Sequence, residues 1–285
     1  MSKKKAKKND VLEKLDASIR FCNSHRDDVQ TLFDGLVDNL IDADARPADY
    51  AIRQEEMKSL FPIVLDPNTK GFIPTIGMNE EDLDLEPHDF LELWLSRWIS
   101  KFVDAWKTLP SQRIANPKGS VTDHALIKMI APHVDSGEKA EDLVKYHNLF
   151  MSAENIGGEL LEEYIASKVE QYDWIWCRGK ILTAVDFCNK SCTEFVQIKN
   201  KENTENSSGR GFRIDHGAPS WFRMYSKKKS GKIATRWPDL MEIIKRGAKR
   251  YADNIPDDLL NEDDYLQFIE SASLQNPAMI TSEEK

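Results

Sequence analysis

Ala184-Val185-Asp186-Phe187-Cys188 and, with its glutamine eleven residues past the aspartate, Phe195-Val196-Gln197-Ile198-Lys199 decide how this chain is read. Together with Trp174-Ile175-Trp176-Cys177 they are short runs rich in aromatic and β-branched residues, so Trp174–Cys177, Ile181–Phe187 and Phe195–Ile198 read as strands, with Arg178-Gly179-Lys180 as a tight turn. Side chains alternate along a strand. Gln197 and Lys199 therefore share a face with Phe195, while Val196 and Ile198 point into a core. A polar, chargeable pair on one side of an apolar strand costs stability unless a partner occupies the site, and an aspartate near the end of the neighbouring strand is a candidate partner.

Upstream lies a helix that Ser152 can cap and that runs to about Gln171. With Glu154 set at 0° and about 100° per residue, Ile156, Leu160, Leu161, Tyr164 and Ile165 define a buried arc of roughly 200° to 380°. Glu154 falls inside that arc, Gly158 and Glu162 on its margin, and Glu159 and Glu163 toward solvent. Two glutamates, Asp186, an amide and a lysine converging on one sheet edge suit divalent-cation phosphodiester hydrolysis. In that reading Asp186, Glu162, Glu154 and the carbonyl of Ile198 are candidate Mg²⁺ ligands, and Lys199 orients a water or stabilises charge on phosphorus. The spacing alone also fits an internal Asp186–Lys199 ion pair.

Outward from this region the chain is helical toward its N-terminus. Residues 10–43 carry apolar side chains three to four apart, and Pro87 opens a helix bearing Phe90, Trp94, Trp98, Phe102 and Trp106, each four apart, which reads as an aromatic core seam. Helices are also expected from Thr122 to about Pro132, from after Gly137 to about Phe150, from Trp237 to about Tyr251 and from Pro256 to about Ser271. Domain organisation follows as a basic, disordered tail (1–8), a helical N-terminal portion for dimerisation or DNA clamping (9–135), and a core with a recognition loop and C-terminal helices (136–285).

Composition narrows the class. With 285 residues, 40% hydrophobic, seven Trp and twelve Phe, the chain has ample core material, which excludes a wholly disordered protein. No apolar stretch is long enough for a membrane span, and the lysine-rich start leads into Asn9-Asp10 rather than an apolar segment, so a cytoplasmic, non-secreted protein is expected. Four cysteines are too few and too uneven for a disulfide framework and read as free thiols. No phosphate-cradling loop points to ATP use. The net charge of −9 is unevenly spread: residues 197–250 hold fourteen Lys and Arg against five Asp and Glu, a segment of +9 on a remainder of −18. That is the footprint of a polyanion-binding face on a body that repels non-specific contact.

Ala153 to Ile165 (Ala-Glu-Asn-Ile-Gly-Gly-Glu-Leu-Leu-Glu-Glu-Tyr-Ile), Trp176-Cys177-Arg178-Gly179, Ala184 to Cys188, Gln197-Ile198-Lys199-Asn200 and Asn203-Thr204-Glu205-Asn206-Ser207-Ser208 together resemble the PD-(D/E)XK nucleases, and more closely the type II restriction endonucleases of the SinI type. The resemblance covers about 150–225. It implies an α/β fold with a PD-(D/E)XK-type core, a central mixed sheet flanked by helices, plus the helical N-terminal portion. It further implies an Mg²⁺-dependent, site-specific endonuclease that cuts double-stranded DNA at a GG…CC palindrome such as GGWCC and leaves 5′-phosphates. Such an enzyme works as a homodimer beside a cognate DNA methyltransferase.

On the family pattern Asp186 is the metal-binding aspartate, Gln197 stands at the second acidic position, Lys199 is the motif lysine and Glu162 the helix glutamate. Gln197 departs from the pattern: its amide offers a carbonyl oxygen but no charge. Asn203, Asn206, Ser207, Ser208, Arg210 and Arg213 form a candidate base-reading loop, since Asn suits adenine, Arg suits guanine and Ser suits either. Lys227–Lys229, Lys232, Lys245, Lys249 and Arg250 would contact phosphates. The competing classes are a DNA-binding protein that does not cleave and a less specific repair or transposition nuclease.

Overall fold

A computed structural model describes residues 4–25, 28–41, 49–114, 128–129, 132, 140–201, 218–225 and 234–281. The chain divides into two compact units, Met1–Lys107 with Val169–Pro256, and Thr108–Lys168 with Asp257–Lys285.

The first unit carries the sheet. Its four strands, β1 (Trp174–Trp176), β2 (Phe187–Asn189), β3 (Phe195–Lys201) and β4 (Ser220–Met224), lie in the order β1-β2-β3-β4. β1–β2 and β2–β3 are antiparallel and β3–β4 is parallel, so the sheet is mixed, as expected. Two of its strands differ from the sequence reading. Ile181–Asp186 is not a strand: Ala184 adopts a left-handed φ of 57°, and the Thr183 amide donates to the Phe72 carbonyl (2.7 Å), so these residues are satisfied away from the ladder. β4 was not anticipated, although Trp221 and Arg223 are buried while Ser220, Phe222 and Met224 are half-exposed, the period-two signature of a strand.

The helices α1 (Lys8–Ser24), α2 (Val29–Leu40), α3 (Tyr50–Leu60), the single turn α4 (Pro62–Leu65) and α5 (Pro87–Trp106) precede the sheet. Residues 4–8 are tied down: Lys5 bridges Asn79, and the Lys8 ammonium donates to the Gly71 carbonyl (2.9 Å). Phe90, Trp94, Trp98, Phe102 and Trp106 are all buried, so the aromatic stripe of α5 is a core seam. Trp98 Nε1 donates to the Ile181 carbonyl (2.8 Å), and Trp106 meets the Trp176 ring edge-on at 5.6 Å. Every residue of β1 and β2 is buried, as in a sheet covered on both faces.

The helix that we number α7 (Trp237–Ala248) follows β4; Trp174 Nε1 donates to its Ile244 carbonyl (3.1 Å) and Asn189 Nδ2 to its Gly247 carbonyl (3.0 Å). A Cβ on Gly247 would lie 2.2 Å from the Trp174 ring. Gly247→Ala should therefore lower stability by about 3 kcal/mol, the upper range for overpacking a core, read as a fall in the denaturation midpoint. An unchanged midpoint would mean that α7 does not seat on β1 this closely.

A buried ionic cluster sits beneath α5. Arg53 (4% exposed) donates to Glu56 Oε2 (2.6 Å) and, through both terminal nitrogens, to Glu170 (3.0 and 3.0 Å), with Asp49 at 3.5 Å. Its guanidinium lies 3.6 Å from the centre of the Trp106 ring. One cation thus faces three carboxylates, and the most enclosed, Glu56 (2% exposed), is pushed up to about 8, by burial first, opposed by the attraction of Arg53 and Lys190 and reinforced by Glu170. Between its ordinary value of 4.5 and about 8 the folded chain holds a proton that the unfolded chain has lost. That contribution to stability is complete below the lower value and disappears as pH rises through the upper one. Glu56→Gln, which mimics the protonated acid, should flatten this decline in thermal unfolding between pH 5 and 8; a mutant profile parallel to the wild type would refute the assignment.

The second unit contains α6 (Ala140–Val169, whose last residue belongs to the first unit) and α8 (Glu262–Gln275). α6 is one helix, not two meeting at Ser152, because Ser152 is buried in mid-helix and its Oγ accepts from the Thr281 amide (3.3 Å). Ile156 and Leu160 of α6 pack with Ala272, Met279 and Phe268. The helix expected over 122–132 lies almost entirely outside the described residues. No described helix is long and apolar enough to cross a membrane.

Candidate active site

The site is built where β2 begins and β3 runs on. Asp186 immediately precedes β2 and is held through its backbone on both sides: its amide donates to the Val196 carbonyl (3.0 Å) and its carbonyl accepts from the Cys177 amide (2.9 Å). Its carboxylate Oδ2 accepts from the Ile198 amide at 2.7 Å. The carboxylate therefore lies along the edge of β3, beside the peptide joining Gln197 to Ile198.

β2 pairs with β3 only through Phe187↔Val196 and Cys188↔Phe195, so Gln197 to Lys201 extend past it. On the other edge β3 continues against β4, with Gln197↔Ser220 and Lys199↔Phe222 in register and the Gln197 amide donating to the Pro219 carbonyl (2.9 Å). In an extended residue N–H and C=O point to the same side. With its N–H on Asp186, Ile198 thus directs its carbonyl toward the same open edge, away from β4.

Exposure along β3 bears out the alternation: Phe195, Val196 and Ile198 are buried, and Gln197 and Lys199 are half-buried on the opposite side from Val196 and Ile198. Among the described residues Lys199 forms no ion pair. The carboxylate of Asp186 engages a backbone amide in its place, so the internal Asp186–Lys199 pair is not formed. Asp186, Gln197, Ile198 and Lys199 are thereby brought to one edge.

The glutamates of α6, in the second unit, differ from the wheel reading. Glu154 is exposed rather than inside the buried arc, and Glu163 is buried (8% exposed), taking hydrogen bonds from the Ser111 amide (2.8 Å) and hydroxyl (2.6 Å). The wheel assumed one buried arc, whereas the 110–112 turn covers a second side of the helix. Glu159 is exposed and pairs with Arg113 (2.7 Å), and Glu162 is half-buried. Among the described residues no three His, Cys, Asp or Glu side chains gather as a metal cluster.

The candidate base-reading residues Asn203, Asn206, Ser207, Ser208, Arg210 and Arg213 lie outside the described residues, as do Lys227–Lys229 and Lys232. Arg250 pairs with Asp173 (2.8 Å), and Arg246 grips Glu194 through two bonds (2.9 and 2.8 Å), so part of the basic segment is neutralised within the fold. All four cysteines are free thiols, and burial, first, with Cys192 beside it, raises the Cys188 thiol well above its ordinary value.

The donors at the open edge fit a hard divalent cation: one carboxylate, one peptide carbonyl and a neighbouring amide oxygen, with no soft ligand among them. Mg²⁺ is usually held by one or two carboxylates, completing its shell with water and substrate phosphate.

A mixed four-stranded sheet accompanied by helices is consistent with an α/β nuclease fold. A model of the SinI restriction endonuclease family matches residues 102–256, more than half of the chain. The chain belongs to the SinI restriction endonuclease family. It is 37% identical over 142 residues to the type II restriction enzyme Eco47I of Escherichia coli, an alignment covering 47% of this chain and 54% of that enzyme. It is also 37% identical over 138 residues to the type II restriction enzyme SinI of Salmonella infantis, with 47% and 54% covered. The chain thus spans about half the length of the curated relatives it matches.

Proposed function

We propose that this chain is a type II restriction endonuclease with a PD-(D/E)XK-type core that hydrolyses double-stranded DNA at a GG…CC palindrome, GGWCC being the first sequence to test. The observation that carries the reading is the Asp186 carboxylate docked on the edge of β3 at Ile198 (2.7 Å), between Gln197 and Lys199 in chain order. Asp186 and the Ile198 carbonyl would hold Mg²⁺, with the Gln197 side-chain oxygen as a further candidate donor. When bound, the ion supplies Lewis-acid stabilisation of the phosphate and lowers the pKa of a water.

Lys199 positions the attacking water and offsets charge on phosphorus as the new P–O bond forms and the P–O3′ bond breaks. The 3′ oxygen leaves with a proton, and the phosphate stays on the 5′ end. We assign Glu162 the role of helix glutamate from the family likeness; Glu162→Gln tests that role separately. Asn203, Asn206, Ser207, Ser208, Arg210 and Arg213 read the bases. A palindrome read by one kind of chain calls for a twofold homodimer, and a cognate methyltransferase protects host DNA in the cytoplasm.

Incubating plasmid with the protein, with Mg²⁺ or with EDTA, tests the proposal. Discrete fragments with Mg²⁺ alone are expected. A smear would indicate a less specific nuclease, and intact plasmid that is nevertheless bound would indicate a protein that does not cleave.

A further inference from the structure

Ser220 heads β4, and the parallel register sets it directly across from Gln197, with Phe222 across from Lys199. Trp221 and Arg223 are buried on the side of Ile198, so Ser220 and Phe222 share the side of Gln197 and Lys199. The Gln197 amide bonded to the Pro219 carbonyl (2.9 Å) pins this end of β4 in place. The Ser220 hydroxyl is shielded from solvent yet has no hydrogen-bond partner among the described residues. A buried hydroxyl left unpaired is costly, and beside a candidate active site a substrate group is one partner that would satisfy it. The nearest cation on this face in the register is Lys199, two residues along the neighbouring strand from Gln197, which selects an anionic acceptor for the hydroxyl.

We infer that Ser220 contacts the substrate, its hydroxyl donating to a phosphate oxygen of the DNA strand on which Asp186 and Lys199 act. The inference rests on the nuclease reading and adds to it a contact on β4, outside the Asp186, Gln197 and Lys199 set.

Single-turnover cleavage of a duplex by excess enzyme, measured beside thermal unfolding, tests it with Ser220→Ala, Ser220→Thr and Ser220→Val. Ala and Val should cut at least about tenfold more slowly, as loss of one substrate hydrogen bond implies, while Thr, which keeps the hydroxyl, stays within about threefold of the wild type. Ala should unfold at or above the wild-type midpoint, because it removes an unsatisfied hydroxyl, so its defect is not one of folding. Cleavage by Ala at the wild-type rate, or Thr and Val slowed alike, overturns the inference and leaves the nuclease reading intact. A wild-type protein that cuts no duplex overturns both.

Discussion

Asp186→Asn should fold like the wild type and lose cleavage by at least about 10³-fold, the several kcal/mol that a metal's charge stabilisation is worth. The choice of Asn over Ala is dictated by Ile198, whose amide donates to Oδ2 at 2.7 Å. Asn retains a carbonyl oxygen for that bond and removes only the charge. Ala would strand a buried N–H at about 1–3 kcal/mol, confusing lost chemistry with lost structure. The measurement pairs a cleavage time course in Mg²⁺ with DNA binding in Ca²⁺, where binding should persist. Cleavage within tenfold of the wild type would remove Asp186 from the chemistry.

Lys199→Ala should reduce the single-turnover rate by about 10²- to 10³-fold, the range for deleting one donor that meets developing charge. It should leave the unfolding midpoint nearly unchanged, because Lys199 is half-buried and forms no ion pair among the described residues. If the ammonium also touches a phosphate, the salt dependence of DNA binding falls by about one counterion. Lys199→Arg keeps the charge but spreads it over a planar fork, so it should recover binding better than rate. A mutant that melts much earlier while cutting normally once folded would make Lys199 structural.

What could be read from the sequence was what local periodicity encodes. The stripe from Phe90 to Trp106 and the alternation of β3 needed no knowledge of distant residues, and both are found. Asp186, Gln197 and Lys199 came together because eleven residues suffice for a hairpin-like return, and the β2–β3 ladder makes it. The misreadings share a cause in partners far along the chain. Ile181–Val185 is apolar because it lies under Phe72 and Trp98, not because it is a strand. Glu163 is buried because Ser111, fifty-two residues away, bonds both its oxygens. β4 emerged only with β3 as its parallel neighbour, a pairing across a crossover that periodicity does not reveal.

The most direct test is a crystal structure of the protein with a GGWCC duplex and Ca²⁺, which occupies such sites without supporting the full reaction. The account predicts a cation at about 2.3–2.6 Å from Asp186 and the Ile198 carbonyl, beside the scissile phosphate and within reach of Lys199. A duplex bound elsewhere, with Asp186 bare and far from any phosphate, would contradict it.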